Sequence, residues 1–184
     1  MTDFLKHQFL LAMPGLAGTY FGGTITYLCE HNADGAMGLI VNRPVPDVRL
    51  GELFDQLDID GPGHRDTIVL EGGPVKTDRG FVLHSDDLML DSSLRLEDGL
   101  ALSTAREMLA AIADNQGPEQ FLICVGYAGW GPGQLEQELG ENAWLSCPAS
   151  QEILFETPLH ERVNRAAAAL GIDFTLMSGN AGHA

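Results

Sequence analysis

The sequence predicts an α+β fold with a mixed β-sheet and about four helices. Segments with strand character are concentrated early in the chain, and helical segments interrupt them less regularly than in a repeating βαβ pattern. Residues 121–127 are apolar on both faces, which is typical of a central strand. The chain contains no internal repeat and no low-complexity linker, so we expect a single domain over residues 1–184.

The first predicted elements form a β-hairpin. Residues 24–30 are β-branched and aromatic and alternate between two faces, as in a strand. Residues 32–35 (Asn-Ala-Asp-Gly) tolerate positive φ and suit a turn, and the apolar run 37–42 follows as a buried strand. We expect Pro44 and Pro46 to end this strand, because proline cannot donate a hydrogen bond to a sheet.

A short helix, two strands and a second helix are predicted next. The helix is indicated by apolar residues at i, i+3, i+4 and i+7, namely Leu50, Leu53, Phe54 and Leu57. Strands are expected near residues 67–71 and 80–84. The second helix is predicted to start at Thr104, with Glu107 completing a capping box, because a Ser or Thr followed three residues later by Glu pairs with free backbone N–H groups.

The last third of the chain predicts a helix, a strand and a final helix. The helix follows a glycine-rich segment and covers residues 134–139, and the strand lies near residues 143–146. Thr157 is expected to cap the final helix, with Pro158 in its first turn. The buried stripe of this helix is predicted to be Leu159, Val163, Ala167 and Leu170.

The net charge restricts the classes of partner. The 26 acidic and 10 basic side chains give a formal charge of −16. Nucleic acids and anionic bilayers attract clustered Lys and Arg, so direct nucleic-acid binding and membrane binding are not expected. No apolar run approaches the roughly 20 residues that cross a bilayer as a helix.

The cysteines and the N-terminus favour a cytoplasmic protein. Cys29, Cys124 and Cys147 lie far apart and form no Cys-x-x-Cys pair, so buried free thiols are expected, with a redox-active cysteine as the alternative. The N-terminal residues lack the features of a secretory signal. The six histidines show no metal-ligand spacing, and the sequence indicates no cofactor.

The segment Gly126–Glu136 (Gly-Tyr-Ala-Gly-Trp-Gly-Pro-Gly-Gln-Leu-Glu) is the most suggestive for function. It predicts a strand, a glycine-rich bend and a helix. The bend could simply let Tyr127 and Trp130 pack, or it could present them to a neutral or cationic ligand or a peptide. Phosphate binding at the helix start is a third interpretation, which Pro132 and the nearby glutamates oppose. The candidate binding residues here are Gly126, Tyr127, Gly129, Trp130, Gly131, Gly133, Gln134 and Glu136.

Two further motifs add candidate binding residues. Asn42 and Arg43 follow the second predicted strand, and an arginine there needs a partner. That partner is either a carboxylate of the chain or the carboxylate or phosphate of a ligand. Gly72, Gly73 and Pro74 either form a tight connection or allow a ligand to approach the backbone.

Known catalytic templates are incomplete, and no catalytic residue is predicted. His160-Glu-Arg-Val-Asn164 resembles the zinc-protease helix but has Asn at the second histidine position. No Gly-x-Ser-x-Gly sequence occurs. His84, in His-Ser-Asp-Asp, is expected to be a hydrogen-bonding residue at a strand end, with catalysis as the alternative.

Four motifs in order resemble the YqgE/AlgH family of bacterial proteins. They are Met13-Pro-Gly15, Gly38-Leu-Ile-Val-Asn-Arg-Pro44, Gly72-Gly-Pro-Val75 and Gly126–Glu136. The resemblance implies an α+β fold whose strongly curved, bifurcated sheet forms a pseudo-barrel flanked by helices. It implies no established catalytic residue, and the AlgH name refers to a suggested role as a transcriptional regulator of alginate production.

We therefore expect a cytoplasmic binding or regulatory module that recognises a small molecule or a protein partner and is not an enzyme. A transcriptional regulator acting on DNA, directly or through a partner, is the alternative. An unrecognised enzyme that uses His84, Arg43 or a thiol is the third hypothesis.

Overall fold

The computed structural model describes residues 4–174, which form ten strands and four α-helices. The strands are β1 (Gln8–Ala12), β2 (Ile25–Asn32), β3 (Gly35–Ile40), β4 (Pro44–Arg49), β5 (Ile68–Glu71), β6 (Val75–Ser85), β7 (Leu94–Arg95), β8 (Leu100–Ser103), β9 (Phe121–Trp130) and β10 (Trp144–Pro148). The helices are α1 (Leu50–Gln56), α2 (Arg106–Ala113), α3 (Gln134–Gly140) and α4 (Arg162–Ala168). The expected α+β class is confirmed.

The described residues separate into two compact units. Unit 1 contains the residues up to Arg43 and those from Ala128 onward, and unit 2 is Pro44–Tyr127. Strand β9 contributes its first seven residues to unit 2 and the remainder to unit 1. Whether both units fold as the single expected domain stays a prediction.

Unit 1 is built on antiparallel strands in the order β10-β1-β2-β3-β9. The predicted hairpin of β2 and β3 is confirmed, with Asn32 paired to Gly35 across the turn. The N-terminal strand β1 was not predicted. Its Phe9, Leu10 and Leu11 are all fully buried, because β1 pairs with β2 on one side and with β10 on the other. An apolar run without alternation is therefore an interior strand here.

The core of unit 1 contains both tryptophans. Its buried members are Leu10, Ala12, Leu28, Ala128, Trp130, Leu135 and Trp144. Leu135 places the apolar side of α3 in this core. The packing stabilises both α3 and the last three residues of β9, because neither segment is long enough to be stable alone.

Unit 2 is where the sheet becomes mixed. Strands β9, β6, β8 and β7 are antiparallel neighbours, whereas β5 pairs in parallel with β9 and antiparallel with β4. The central position of β9 is confirmed. The core of unit 2 brings together the predicted apolar faces of α1 and α2. Its buried residues include Leu50, Phe54, Met108, Leu109 and Ile112.

Two features of unit 2 differ from the sequence predictions. The prolines do end β3, but Pro44 also begins a strand, β4, which pairs with β5 at Pro44 and Arg49 only. An irregular strand tolerates proline because the missing N–H is not needed there. The capping box at Thr104 and Glu107 is wrong: α2 begins at Arg106, and Ala105 precedes it without a side-chain cap.

The end of the described chain in unit 1 also differs from prediction. Thr157 does not cap a long helix, since its hydroxyl donates back to the carbonyl of Glu152 at 3.1 Å. The continuous helix is replaced by a π-helical turn at Glu152–Glu156, a 3-10 turn at Leu159–Glu161 and the short helix α4. Leu170, expected in the buried stripe, is 40% exposed, whereas Arg162 is buried.

Candidate functional site

The glycine-rich segment begins as a strand, and this strand extends three residues beyond the predicted range of residues 121–127. Strand β9 continues to Trp130, because residues 128–130 pair with β3. The bend is confined to residues 131–133, where Gly133 adopts φ of 74° and α3 starts. The side-chain amide oxygen of Gln134 accepts a hydrogen bond from Gly131 N at 2.9 Å and thereby closes this turn.

Trp130 is a core residue of unit 1 and does not lie on an exposed loop. It is 7% exposed, and its ring stacks on Phe21 and meets Trp144 edge to face. The same carboxylate oxygen of Glu138 accepts hydrogen bonds from the indole N–H groups of Trp130 at 3.0 Å and Trp144 at 2.9 Å. The interpretation of Trp130 as a ligand-facing anchor is therefore replaced by a structural role.

Glu136 is held by a buried histidine. The ring of His31 accepts a hydrogen bond from Leu5 N at its Nδ1 atom, 2.8 Å away. The Nε2 atom therefore carries the hydrogen and donates a hydrogen bond to Glu136 Oε1 at 2.7 Å. This hydrogen bond lowers the pKa of Glu136 below its ordinary value.

Gly126 and Gly73 lie in unit 2, where their backbones approach closely. Gly126 has φ of 75°, and a Cβ atom on it would lie 2.4 Å from the carbonyl oxygen of Gly73. Gly72 N also donates to Val125 O at 2.8 Å. These glycines allow a tight backbone connection, while Pro74 is exposed beside them. Tyr127 is half-buried and meets Phe81 edge to face, and Gly129 and Gly133, which belong to unit 1, are exposed.

Asn42 fixes the loop of residues 13–24, which we call the glycine loop. Its side-chain oxygen accepts from Ile25 N at 3.1 Å, and its amide nitrogen donates to Gly23 O at 3.0 Å. Because one amide pairs with both sides of the junction between the loop and β2, the loop end has a defined position.

Arg43 is the cation of this region. Its guanidinium lies over the Tyr20 ring, 4.9 Å from the centroid, and donates to Gly22 O at 3.4 Å. Among residues 4–174 no carboxylate forms an ion pair with Arg43, so the salt-bridge interpretation is wrong for this part of the chain. The guanidinium retains free donors in a protein of charge −16.

A cavity of about 570 Å³ lies against the glycine loop. It is lined by Ala12, Met13, Pro14, Ala17, Gly18, Thr19, Gly22, Gly23, Val163, Asn164 and Phe174. Gly18 and Gly23 have φ of 86° and 74°, and their N–H groups donate no hydrogen bond within residues 4–174. The sequence predictions missed this loop, although four glycines between positions 15 and 23 were a visible signal.

The remaining chemical candidates are hydrogen-bonded or buried. His84 is fully buried and lies between Ser103 Oγ at 2.8 Å and Ser85 O at 2.7 Å, which confirms a hydrogen-bonding role, and burial lowers its pKa. Cys29, Cys124 and Cys147 are buried and form no disulfide within residues 4–174, and burial raises the pKa of Cys147 to about 11. Over residues 4–174, no group of three potential metal ligands comes together. None of the helices in that range is long and apolar enough to cross a bilayer.

Comparison with known proteins identifies close relatives over nearly the whole chain. A family model described as AlgH-like matches residues 9–175. A protein of Pseudomonas paraeruginosa is 52% identical over 184 residues, which cover 98% of this chain and 96% of that protein. AlgH of Pseudomonas aeruginosa has the same identity and coverage.

Solved structures share the fold. The solution structure of AlgH from Pseudomonas aeruginosa superposes with a TM-score of 0.82 at 50% identity, covering 97% of this chain and 95% of that one. A crystal structure of a protein from Corynebacterium diphtheriae shares the fold alone, with a TM-score of 0.76 at 19% identity over 96% of this chain and 93% of that one.

Proposed function

The chain belongs to the AlgH-like family, and from this premise we propose that it is a cytoplasmic binding or regulatory module. Its recognition site is the cavity of the glycine loop, and it takes a small molecule or a protein segment through a carboxylate or phosphate group. The observation that carries the proposal is Arg43, a half-buried cation that has no ion-pair partner among residues 4–174 and donates to the carbonyl of Gly22, a residue of the cavity lining.

The site has the donors that an anionic group needs. Arg43 binds carboxylates and phosphates through parallel N–H groups, and its contact with Gly22 places it beside a residue that lines the cavity. The free N–H groups of Gly18 and Gly23 add neutral donors on the loop itself. The polar groups around this cavity suit recognition better than bond-making, because they offer donors and no base paired with a nucleophile.

The cytoplasmic location is supported by the three buried cysteines, which form no disulfide within residues 4–174 and so suit a reducing compartment. A role as a regulator on DNA is the second function that the family name suggests. The charge of −16 opposes direct contact with phosphates, so such a regulator would act through a partner protein. A gel shift at increasing salt concentration separates the two, since direct contact would give steeply salt-dependent retention of DNA.

The proposed recognition is tested by a thermal-shift screen of dicarboxylates, sugar phosphates and nucleotides. We expect at least one anion class to raise the melting temperature of the wild type and not that of Arg43→Gln. Arg165→Gln is the matched control, because it removes the same charge from a half-exposed arginine of unit 1 that pairs with Glu152. Equal stabilisation of all three proteins would contradict the site.

A further inference from the structure

We propose that unit 2 carries a second, separate binding site, for a small amphiphile with an anionic head group and a short alkyl chain. The site is a cavity of about 290 Å³ beside α1, β6 and α2. Its apolar wall consists of Leu53, Leu57, Phe81, Leu109, Ile123 and Val125. This volume is at the small end of the range for ligand cavities, which fits a short chain and not a drug-sized molecule.

Two arginines line the same cavity, and neither is neutralised within residues 4–174. Arg79 is exposed, and its guanidinium carbon lies 5.9 Å from the centroid of the Phe81 ring. Arg106 donates to the backbone carbonyls of Leu57 and Asp58 at 2.8 to 3.2 Å. Backbone carbonyls orient a guanidinium without cancelling its charge, so both cations stay available to an anion.

One carboxylate opposes the two cations. Asp78 also lines the cavity, which leaves a net positive lining of one charge when all three groups are ionised. In a chain of net charge −16, a cavity lining with a net positive charge is a departure from the average surface. An apolar wall favours an alkyl chain, and the arginine pair favours an anionic end, so both halves of the amphiphile have a complementary surface.

One apolar residue of the lining, Leu57, is exposed and supports binding of an alkyl chain. Leu57 is 43% exposed, although it follows a helix whose Phe54 is fully buried. A leucine at the edge of a cavity gains from covering by a ligand because its apolar surface then leaves water.

The test is calorimetric titration of the full chain with octanoate, octylammonium and octyl glucoside, which share one alkyl chain. We expect octanoate to bind and octylammonium not to bind. Added salt should weaken the binding of octanoate. Arg79→Gln should lower the affinity for octanoate about tenfold, since it removes a charge-assisted contact. Among residues 4–174, the Arg79 side chain makes no hydrogen bond that this substitution would remove.

Four further variants complete the design. Asp78→Asn should raise the affinity for octanoate. Leu57→Asn should lower the affinities for octanoate and for octyl glucoside alike. Arg95→Gln, which removes the same charge from an exposed arginine paired with Asp86, should leave octanoate affinity unchanged. The titrations are repeated with Arg43→Gln, which removes the carboxylate-binding cation of the glycine loop, so the octanoate binding that remains belongs to this second site and the two sites can fail separately. Equal binding of octanoate and octylammonium, or unchanged affinity in Arg79→Gln, would overturn the proposal.

Discussion

The guanidinium of Arg43 rests on the ring of Tyr20, 4.9 Å from its centroid. Tyr20 is 38% exposed and belongs to the glycine loop, so this contact joins the end of the family motif around Asn42 to the loop that begins at Met13. A cation over an aromatic face keeps its in-plane N–H donors free at the edge. The stacking therefore positions the guanidinium without using the groups that would bind an anion.

Asn42 should be the residue that stabilises the glycine loop. Asn42→Ala removes both hydrogen bonds to the loop junction and should lower the free energy of unfolding by about 2 kcal/mol, at about 1 kcal/mol for each bond. Chemical denaturation measures this loss. Asn32→Ala, which loses one exposed hydrogen bond to Asp34 N, should cost less. Equal losses of unfolding free energy in Asn42→Ala and Asn32→Ala would contradict a stabilising role of Asn42 at the loop junction.

The glycines of the family motif should fall into two classes. Gly126→Ala should cost about 1–3 kcal/mol of stability, because its φ of 75° is unfavourable for alanine and its new Cβ would clash with the carbonyl of Gly73. Gly131→Ala should cost less, since the nearest atom to its Cβ is Gln134 Oε1 at 3.9 Å. Thermal melts of the two variants provide the comparison, and a larger loss for Gly131→Ala would contradict the assignment.

Glu138 should be a major structural carboxylate of unit 1. It accepts from both indoles and, at its other oxygen, from Gln134 at 3.0 Å. Glu138→Leu leaves two largely buried indole N–H groups without an acceptor and should cost about 2–4 kcal/mol. Glu138→Gln keeps an acceptor oxygen and should cost less. Tryptophan fluorescence during denaturation reports both values, with Glu141→Ala as the exposed control.

The hydrogen bond of Glu136 to His31 should make stability depend on pH in the acidic range. Because the folded protein lowers the pKa of Glu136 below the ordinary 4.5, the ionised carboxylate contributes stability above that value. The contribution disappears as pH falls through the lowered pKa. We expect Glu136→Gln to be less stable than the wild type near neutral pH and to approach it in acid.

Denaturation of both proteins across this range measures the difference. Glu141→Gln, which removes the same charge next to the same helix without a histidine contact, is the control. A constant gap between wild type and Glu136→Gln down to acidic pH would contradict the assignment.

Local patterns in the sequence were sufficient for much of the fold. The hairpin of β2 and β3, the helix α1 and the central position of β9 follow from alternation, turn residues and helical spacing, which are local properties. The family motifs identified the fold as a whole. Strand β1 was not predicted, although its apolar run carries the same signal, apolar residues on both faces, that predicted β9.

The candidate site was harder to predict because it depends on pairings between distant residues. The sequence left open whether Trp130 packs inside the protein or faces a ligand, because its partners Phe21, Glu138 and Trp144 lie on three other segments. Arg162 is buried because its guanidinium donates to the carbonyls of Thr157 and Val41, the latter 121 positions away. Such contacts leave no periodic trace in the sequence.

The most direct test of the recognition site is an NMR titration of the uniformly ¹⁵N-labelled protein with inorganic phosphate and with acetate. The account predicts saturable shifts that concentrate on the amides of Gly18 and Gly23 and on the side chain of Arg43, and that are lost in Arg43→Gln but kept in Arg165→Gln. Shifts that spread over other surfaces, or that persist unchanged in Arg43→Gln, would contradict it.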